Sequence, residues 1–325
     1  MTAVPVQAGL TFTFTDPTDI QTTSPQAYAG FLKAGQVWSS LLTDNVNVNI
    51  EIGFKQLGPN IIASTGTEYV LMDYFLFYLG LEFDQRSLFD QQAFANLPAD
   101  FGVAALMNLT DENGGSITPY LDDDYSDNNS LLLATTANTK ALFPRDFLEF
   151  EVPDILEPDF VDASIVFSSE LPFDFDPSDG ISAGKIDFVG TAIHEIGHAL
   201  GFVSGVEFLD FYSPPNFPDG FPEDWFLMSP LDFFRYSEDS AAMGVLDWTA
   251  DSRDKYFSVD GGLTALAQFA TGVEHGDGDQ TSHWKYRRKN KIGILDPTYH
   301  LGEVSQVTSN DLIALDVIGW DAVPE

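Results

Sequence analysis

Residues 10–15, LTFTFT, alternate apolar and polar positions at period two, as a strand with one buried face does. The next stretch changes period. Over 25–42, PQAYAGFLKAGQVWSSLL, the residues Tyr28, Phe31, Leu32, Val37, Trp38 and Leu41 recur at roughly helical spacing. Residues 46–54, VNVNIEIGF, alternate again and place Val46, Val48, Ile50 and Ile52 on one face. A strand, a helix and a strand in succession predict a mixed α/β opening. Residues 163–168, ASIVFS, predict a further strand, whereas the polar, acidic stretch 109–130 reads as a surface loop. The segment 206–230 is rich in Pro, Phe and Asp and cannot form one regular helix. No internal repeat or long low-complexity linker interrupts the chain. No run approaches 18 consecutive apolar residues, so no membrane span is expected.

Residues 187–201 carry the chemistry. Asp187 suits an N-cap, Phe188, Ala192, Ile196 and Leu200 form an apolar stripe at helical spacing, and Gly201 suits the left-handed residue that ends a helix. Within this predicted helix stands His194-Glu195-Ile196-Gly197-His198. Histidines four apart project from one helix face toward one ion, and Glu195 is placed to reach a water beside that ion. Zinc suits the set, because it accepts neutral imidazole and in catalytic sites takes three protein ligands and an open water position. It lowers the pKa of that water from 15.7 to about 7, and Glu195 is the candidate general base. Two surface histidines on an ordinary helix are the bland alternative, which the cap, stripe and terminal glycine argue against.

The third ligand is open from the residues alone. A Glu about twenty residues on would fall near 218–223, where Pro218 and Pro222, with Pro214 and Pro215 just before, forbid a helix. A ligand three residues past Gly201 would be Ser204, a poor one for zinc. There remain His275, His283 and His300.

HEIGHALGF, residues 194–202, resembles the metzincin signature His-Glu-x-x-His-x-x-Gly. In the leishmanolysin-like branch an insertion separates the third His, which returns in a Ser-His-Trp context, and here Ser282-His283-Trp284 follows. The chain is also similar to bacterial secreted metalloproteases of that branch in the segments HEIGHALGFVSG, SPLD, DGG, SHWK and IGW, which fall within about 160–322. The resemblance implies His194, His198 and His283 as zinc ligands and Glu195 as catalytic base of an endopeptidase acting on protein or peptide substrates. It implies an α+β catalytic domain with an upper strand-and-helix subdomain, 1–201, ending with the zinc helix, and an irregular lower subdomain, 202–325, with the cleft between them. Leu295, in Gly-Ile-Leu-Asp-Pro, stands where metzincins carry a Met in a tight turn beneath the metal. The exchange conserves volume. Tyr299, just past that turn, is a candidate oxyanion donor, with a packed Tyr as the blander reading.

Charge and composition narrow the partners. The 325 residues include 28 Phe and are 44% hydrophobic, ample for a large core. Fifty acidic residues against fourteen basic ones give a net charge of -36, which repels nucleic acid and anionic membranes. Acidic runs are usually solvated, yet the loops 122–127, 174–179 and 277–279 hold the hard oxygens that calcium takes, so structural Ca2+ is expected alongside Zn2+. The turn 174–180, DFDPSDG, misses the EF-hand spacing. Five basic residues, Lys285, Arg287, Arg288, Lys289 and Lys291, follow His283, to be paired with acidic neighbours or to form a rim that steers acidic peptides. Cysteine is absent, which excludes disulfides and thiol ligands. A monomer is expected. No signal peptide is visible at MTAVPVQAGL, while Val323-Pro324-Glu325 resembles the opening of a bacterial PEP-CTERM sorting signal and points to a secreted or cell-surface protein. The rival class is an adhesion protein that keeps the metal helix without turnover. The intact Glu195 argues against it.

Overall fold

Strand β1 (Thr11–Thr15), helix α1 (Pro25–Leu41) and strand β2 (Asn47–Lys55) follow the predicted periods within a residue or two. The computed structural model that shows this describes residues 9–59 and 61–323. The opening MTAVPVQA and the terminal Pro324 and Glu325, on which the export reading drew, lie outside the described residues. Strands β3 (Ala63–Thr67) and β4 (Ala163–Ser168) complete a four-stranded sheet in the order β1-β2-β4-β3. The first three run parallel, and β3 runs antiparallel to β4 as an edge, with Thr65 opposite Ile165. Val48, Ile50 and Ile52 are fully buried on the face the alternation assigned them. Among the described residues no helix is long and apolar enough to cross a membrane.

Helix α2 (Phe188–Ala199) lies against α1 and the sheet. Phe188 anchors it there. Its ring centroid is 5.2 Å from Phe31 of α1 and 4.4 Å from Phe167 of β4. A Cβ on Gly30 would come within 2.5 Å of the Phe188 ring, so glycine is what lets the two helices approach so closely. The Trp38 indole donates to the carbonyl of Ile193 at 2.9 Å, tying α1 to the turn of α2 that carries the histidines. The sequence stripe predicted one buried face, yet every residue of α2 is buried. Chain from the second half covers the opposite side, as the site geometry below shows.

Beyond Gly201 regular structure is sparse. A short helix spans Val206–Phe211, 3-10 turns span Glu223–Trp225 and Pro230–Phe234, and Arg235–Tyr236, Lys255–Phe257 and Ala267–Phe269 form a small antiparallel sheet. The proline-rich stretch holds no long helix, as expected. Helix α3 (Ser309–Asp316) leads to a terminal segment that crosses back onto the first half. There the Trp320 indole donates to Leu200 O at 2.7 Å and the Asn138 amide to Ile318 O at 2.7 Å. The whole is a mixed α+β fold.

The reading of 109–130 as a surface loop needs correction. It contains a strand, Tyr120–Asp122, paired with Ala105–Met107, and a helical turn, Asp127–Ser130. Thr110, Asp122, Asn128 and Asn129 are buried. Their polarity is spent internally, because Asp122 Oδ2 accepts from the amides of Asn128 at 2.7 Å and Asn129 at 3.0 Å. Polar side chains that satisfy one another lose their reason to face water.

Candidate metal centre

The ends of α2 are built by its own sequence. Asp187 caps the first turn, its carboxylate accepting from Gly190 N at 2.9 Å. At the other end Gly201 N donates to His198 O and Phe202 N to Gly197 O, the pair of bonds that closes a helix over a residue with positive φ, here +119° at Gly201. This turn brings Phe202 O back to accept from His198 Nδ1 at 2.7 Å, so the helix stop also orients a candidate ligand.

The other rings are held in the same way. His194 Nδ1 donates to Ile294 O at 2.8 Å, and His283 Nδ1 to Gln280 O at 3.3 Å. Carbonyl oxygens only accept, so each Nδ1 carries the ring hydrogen and each Nε2 presents a lone pair. The three Nε2 atoms converge, with 3.0 Å between His194 and His198 and 3.2 Å from His283 to each of them. All three residues are buried. Burial, and in His194 and His283 the neighbouring rings, holds the imidazoles neutral, with His198 pushed down to about 4 and the other two well below their usual range. Three lone pairs at such distances with no hydrogen among them repel, and a cation at their focus resolves the repulsion. Ligands 2.0–2.1 Å from a tetrahedral metal stand about 3.3–3.4 Å apart, close to the spacing seen here. The donor set therefore fits a zinc-like ion.

Glu195 follows His194 in the same helix and is buried, and its Oε2 accepts from the Thr65 hydroxyl at 2.6 Å. Loss of solvent pushes its carboxyl up to about 7, against the opposing pull of the Thr65 hydrogen bond. Thr65 lies on the edge strand β3, so the free strand edge runs beside the candidate base. Tyr299 packs edge-on to His194, ring centroids 5.4 Å apart, and its hydroxyl donates to Gly190 O at 3.3 Å. Trp284 and Leu295 are buried beneath the centre, joined by a bond from Trp284 N to Leu295 O. A Cβ on Gly197 would touch Leu295 at 3.1 Å, so this leucine fills the space directly under the histidine helix.

The other two histidines stay apart. His275 Nε2 bonds to the Ser213 hydroxyl at 2.8 Å, and exposed His300 faces the Tyr286 hydroxyl at 3.3 Å. In the basic segment Lys285 pairs with Asp254, Arg287 donates to Gln268, and Lys291 donates to Thr298 O and lies 3.6 Å from Glu303. The acidic loops differ from one another. Asp174 and Asp277 spend carboxylate oxygens on backbone N–H groups of their own loops. Asp122 and Asp124 come together with Glu223, from a distant turn.

Three residues at the centre carry no sequence signal. Thr65 is one threonine in a polar strand. Glu207 accepts from both the backbone N–H (3.0 Å) and the hydroxyl of Ser282. Asp311 accepts from the Trp284 indole at 2.7 Å and from Ile294 N at 2.8 Å. Only folding brings these partners within reach. No family model, no curated protein and no solved structure matches this chain.

Proposed function

We propose that the chain is a zinc-dependent endopeptidase that hydrolyses peptide bonds, with His194, His198 and His283 holding the metal and Glu195 as general base. One observation carries this reading: three neutral, buried imidazoles whose lone pairs meet at a point, with a buried carboxylate beside them. When bound, zinc supplies a Lewis acid that lowers the pKa of a coordinated water to about 7 and polarises a carbonyl. The rest falls to the chain. Burial raises the Glu195 carboxyl above its ordinary range, which favours its taking a proton and returning it to a leaving amine. The Thr65 hydroxyl donates to that carboxylate. Among the described residues no strand pairs with the outer edge of β3, which can take an extended peptide and align a scissile bond along the site without reading its side chains. The likeness of HEIGHALGF and Ser282-His283-Trp284 to the leishmanolysin-like metzincins supports the same assignment.

Glu195→Gln tests the reading. It keeps shape and all three imidazoles and removes the base. The variant should retain zinc at the parent level, by metal analysis after dialysis, and lose about 10²–10⁴-fold of casein-cleaving activity. A zinc-loaded variant cutting at the parent rate refutes the role of Glu195.

A further inference from the structure

The two halves of the candidate centre come from segments 85 residues apart, and the third ligand is the one held least by its own ring. The Nδ1 bonds of His194 and His198 measure 2.8 and 2.7 Å, that of His283 3.3 Å. What fixes His283 is therefore its backbone. On one side His283 O accepts from Ala270 N at 3.0 Å. On the other, the preceding residue, Ser282, gives both its N–H and its hydroxyl to a single oxygen, Glu207 Oε1.

Glu207 belongs to the short helix that follows directly on the metal helix. That helix is itself pinned, because Asp232 accepts from Gly205 N at 2.7 Å and from the Ser204 hydroxyl at 2.6 Å. The path from His198 through Gly201 and Asp232-bound Gly205 to Glu207 is short and constrained, and it ends one residue from the third ligand. Among the described residues no lysine or arginine forms an ion pair with Glu207.

We infer that Glu207 is a positioning residue for the metal centre: by gripping Ser282 it sets the distance of His283 from the His194–His198 pair, and so the metal affinity. This rests on the metal assignment proposed above. A carboxylate held this way acts through geometry, so an amide oxygen should replace it. Both bonds from Ser282 need only an acceptor, which Gln supplies.

The experiment measures zinc affinity by chelator competition on purified full-length protein, and the d–d absorption of the cobalt-substituted form, which reports ligand geometry. Glu207→Ala should weaken zinc by about 10–100-fold, as loss of outer partners of metal ligands does, and should shift the cobalt bands. Glu207→Gln should restore affinity and spectrum to near the parent. Ser282→Ala, which loses only the hydroxyl contact, should fall between, and Glu207→Ala combined with Ser282→Ala should be no weaker than Glu207→Ala alone. Parent-like affinity in Glu207→Ala overturns the inference. Equal weakening in the Ala and Gln variants overturns it too, since charge and not grip would then be at work. If Glu207→Ala does not fold, Glu207→Asp, whose acceptor is drawn back by one methylene, takes its place with the same direction expected. His283→Ala is the control. If it binds zinc like the parent, the metal assignment itself is wrong; if it loses zinc while Glu207→Ala does not, only the positioning role fails.

Discussion

Replacing His283 by Ala removes one of three converging lone pairs and should convert the proposed metal site into a pair of histidines on consecutive turns of one helix. The magnitude follows from linkage. A ligand present at a thousand times its dissociation constant stabilises the fold it binds by about 4.1 kcal/mol. Unfolding entropy of about 2.1 cal/mol/K per residue gives roughly 0.7 kcal/mol/K for a cooperative unit of 325 residues. Zinc at that excess should then raise the parent's melting temperature by about 6 °C. In His283→Ala the increment should shrink to near zero, because two imidazoles leave the tetrahedral set one protein ligand short. The assay is a thermal melt of dialysed protein with and without added zinc, with zinc content read on the same samples. His275→Ala and His300→Ala, whose rings bond elsewhere, should keep the full increment. A full zinc shift in His283→Ala, or its loss in either of the other two, refutes the reasoning.

Thr65→Val should keep zinc and slow peptide cleavage by roughly 10–150-fold, the worth of a hydrogen bond to a charged group, and Thr65→Ser should recover it; a Val variant at the parent rate would show that Glu195 needs no such hold. Gly30→Ala forces a methyl to within 2.5 Å of the Phe188 ring and should cost about 1–3 kcal/mol in urea unfolding, with an unchanged midpoint counting against the close helix contact. Burial pushes the carboxyls of Asp44 up to about 6 and of Asp84 up to about 8, the latter also repelled by Asp321, Asp90 and Asp44. The folded state thus binds these protons more tightly than the unfolded one, so their stabilising effect is complete below about pH 4 and is lost as pH rises toward 8. Neutral His194, His198 and His283 pull the other way in metal-free protein, so the variant isolates the carboxyl: Asp84→Asn should lose less stability, or gain more, between pH 5 and pH 8 than the parent, and an identical change in the two would place the dependence elsewhere.

The strands at 10–15, 46–54 and 163–168, the helix at 25–42 and the histidine-bearing helix with its Asp187 cap and Gly201 stop were legible because local periodicity and capping chemistry act within a few residues. The same holds for the His194–His198 pair and Glu195, whose geometry is a property of one helix. Residues 109–130 read wrongly because polarity alone does not tell a solvated side chain from one bonded inside, and Asn128 and Asn129 find Asp122 only once the chain has folded. The third histidine was narrowed by chemistry to three candidates and singled out by the Ser-His-Trp resemblance. What brings His283 to 3.2 Å from His198 is tertiary: Glu207 on Ser282, Ala270 on His283 itself, and Asp311 on Trp284 and the 294–295 turn. None of these contacts has a period or a fixed spacing, because each joins side chain and backbone across stretches whose length the closing loop hardly senses. Sequence by itself therefore determined the helix that offers two candidate ligands and a candidate base. Only the packed chain decided what closes over it, because that closure is made of single hydrogen bonds between segments that meet nowhere but in the fold.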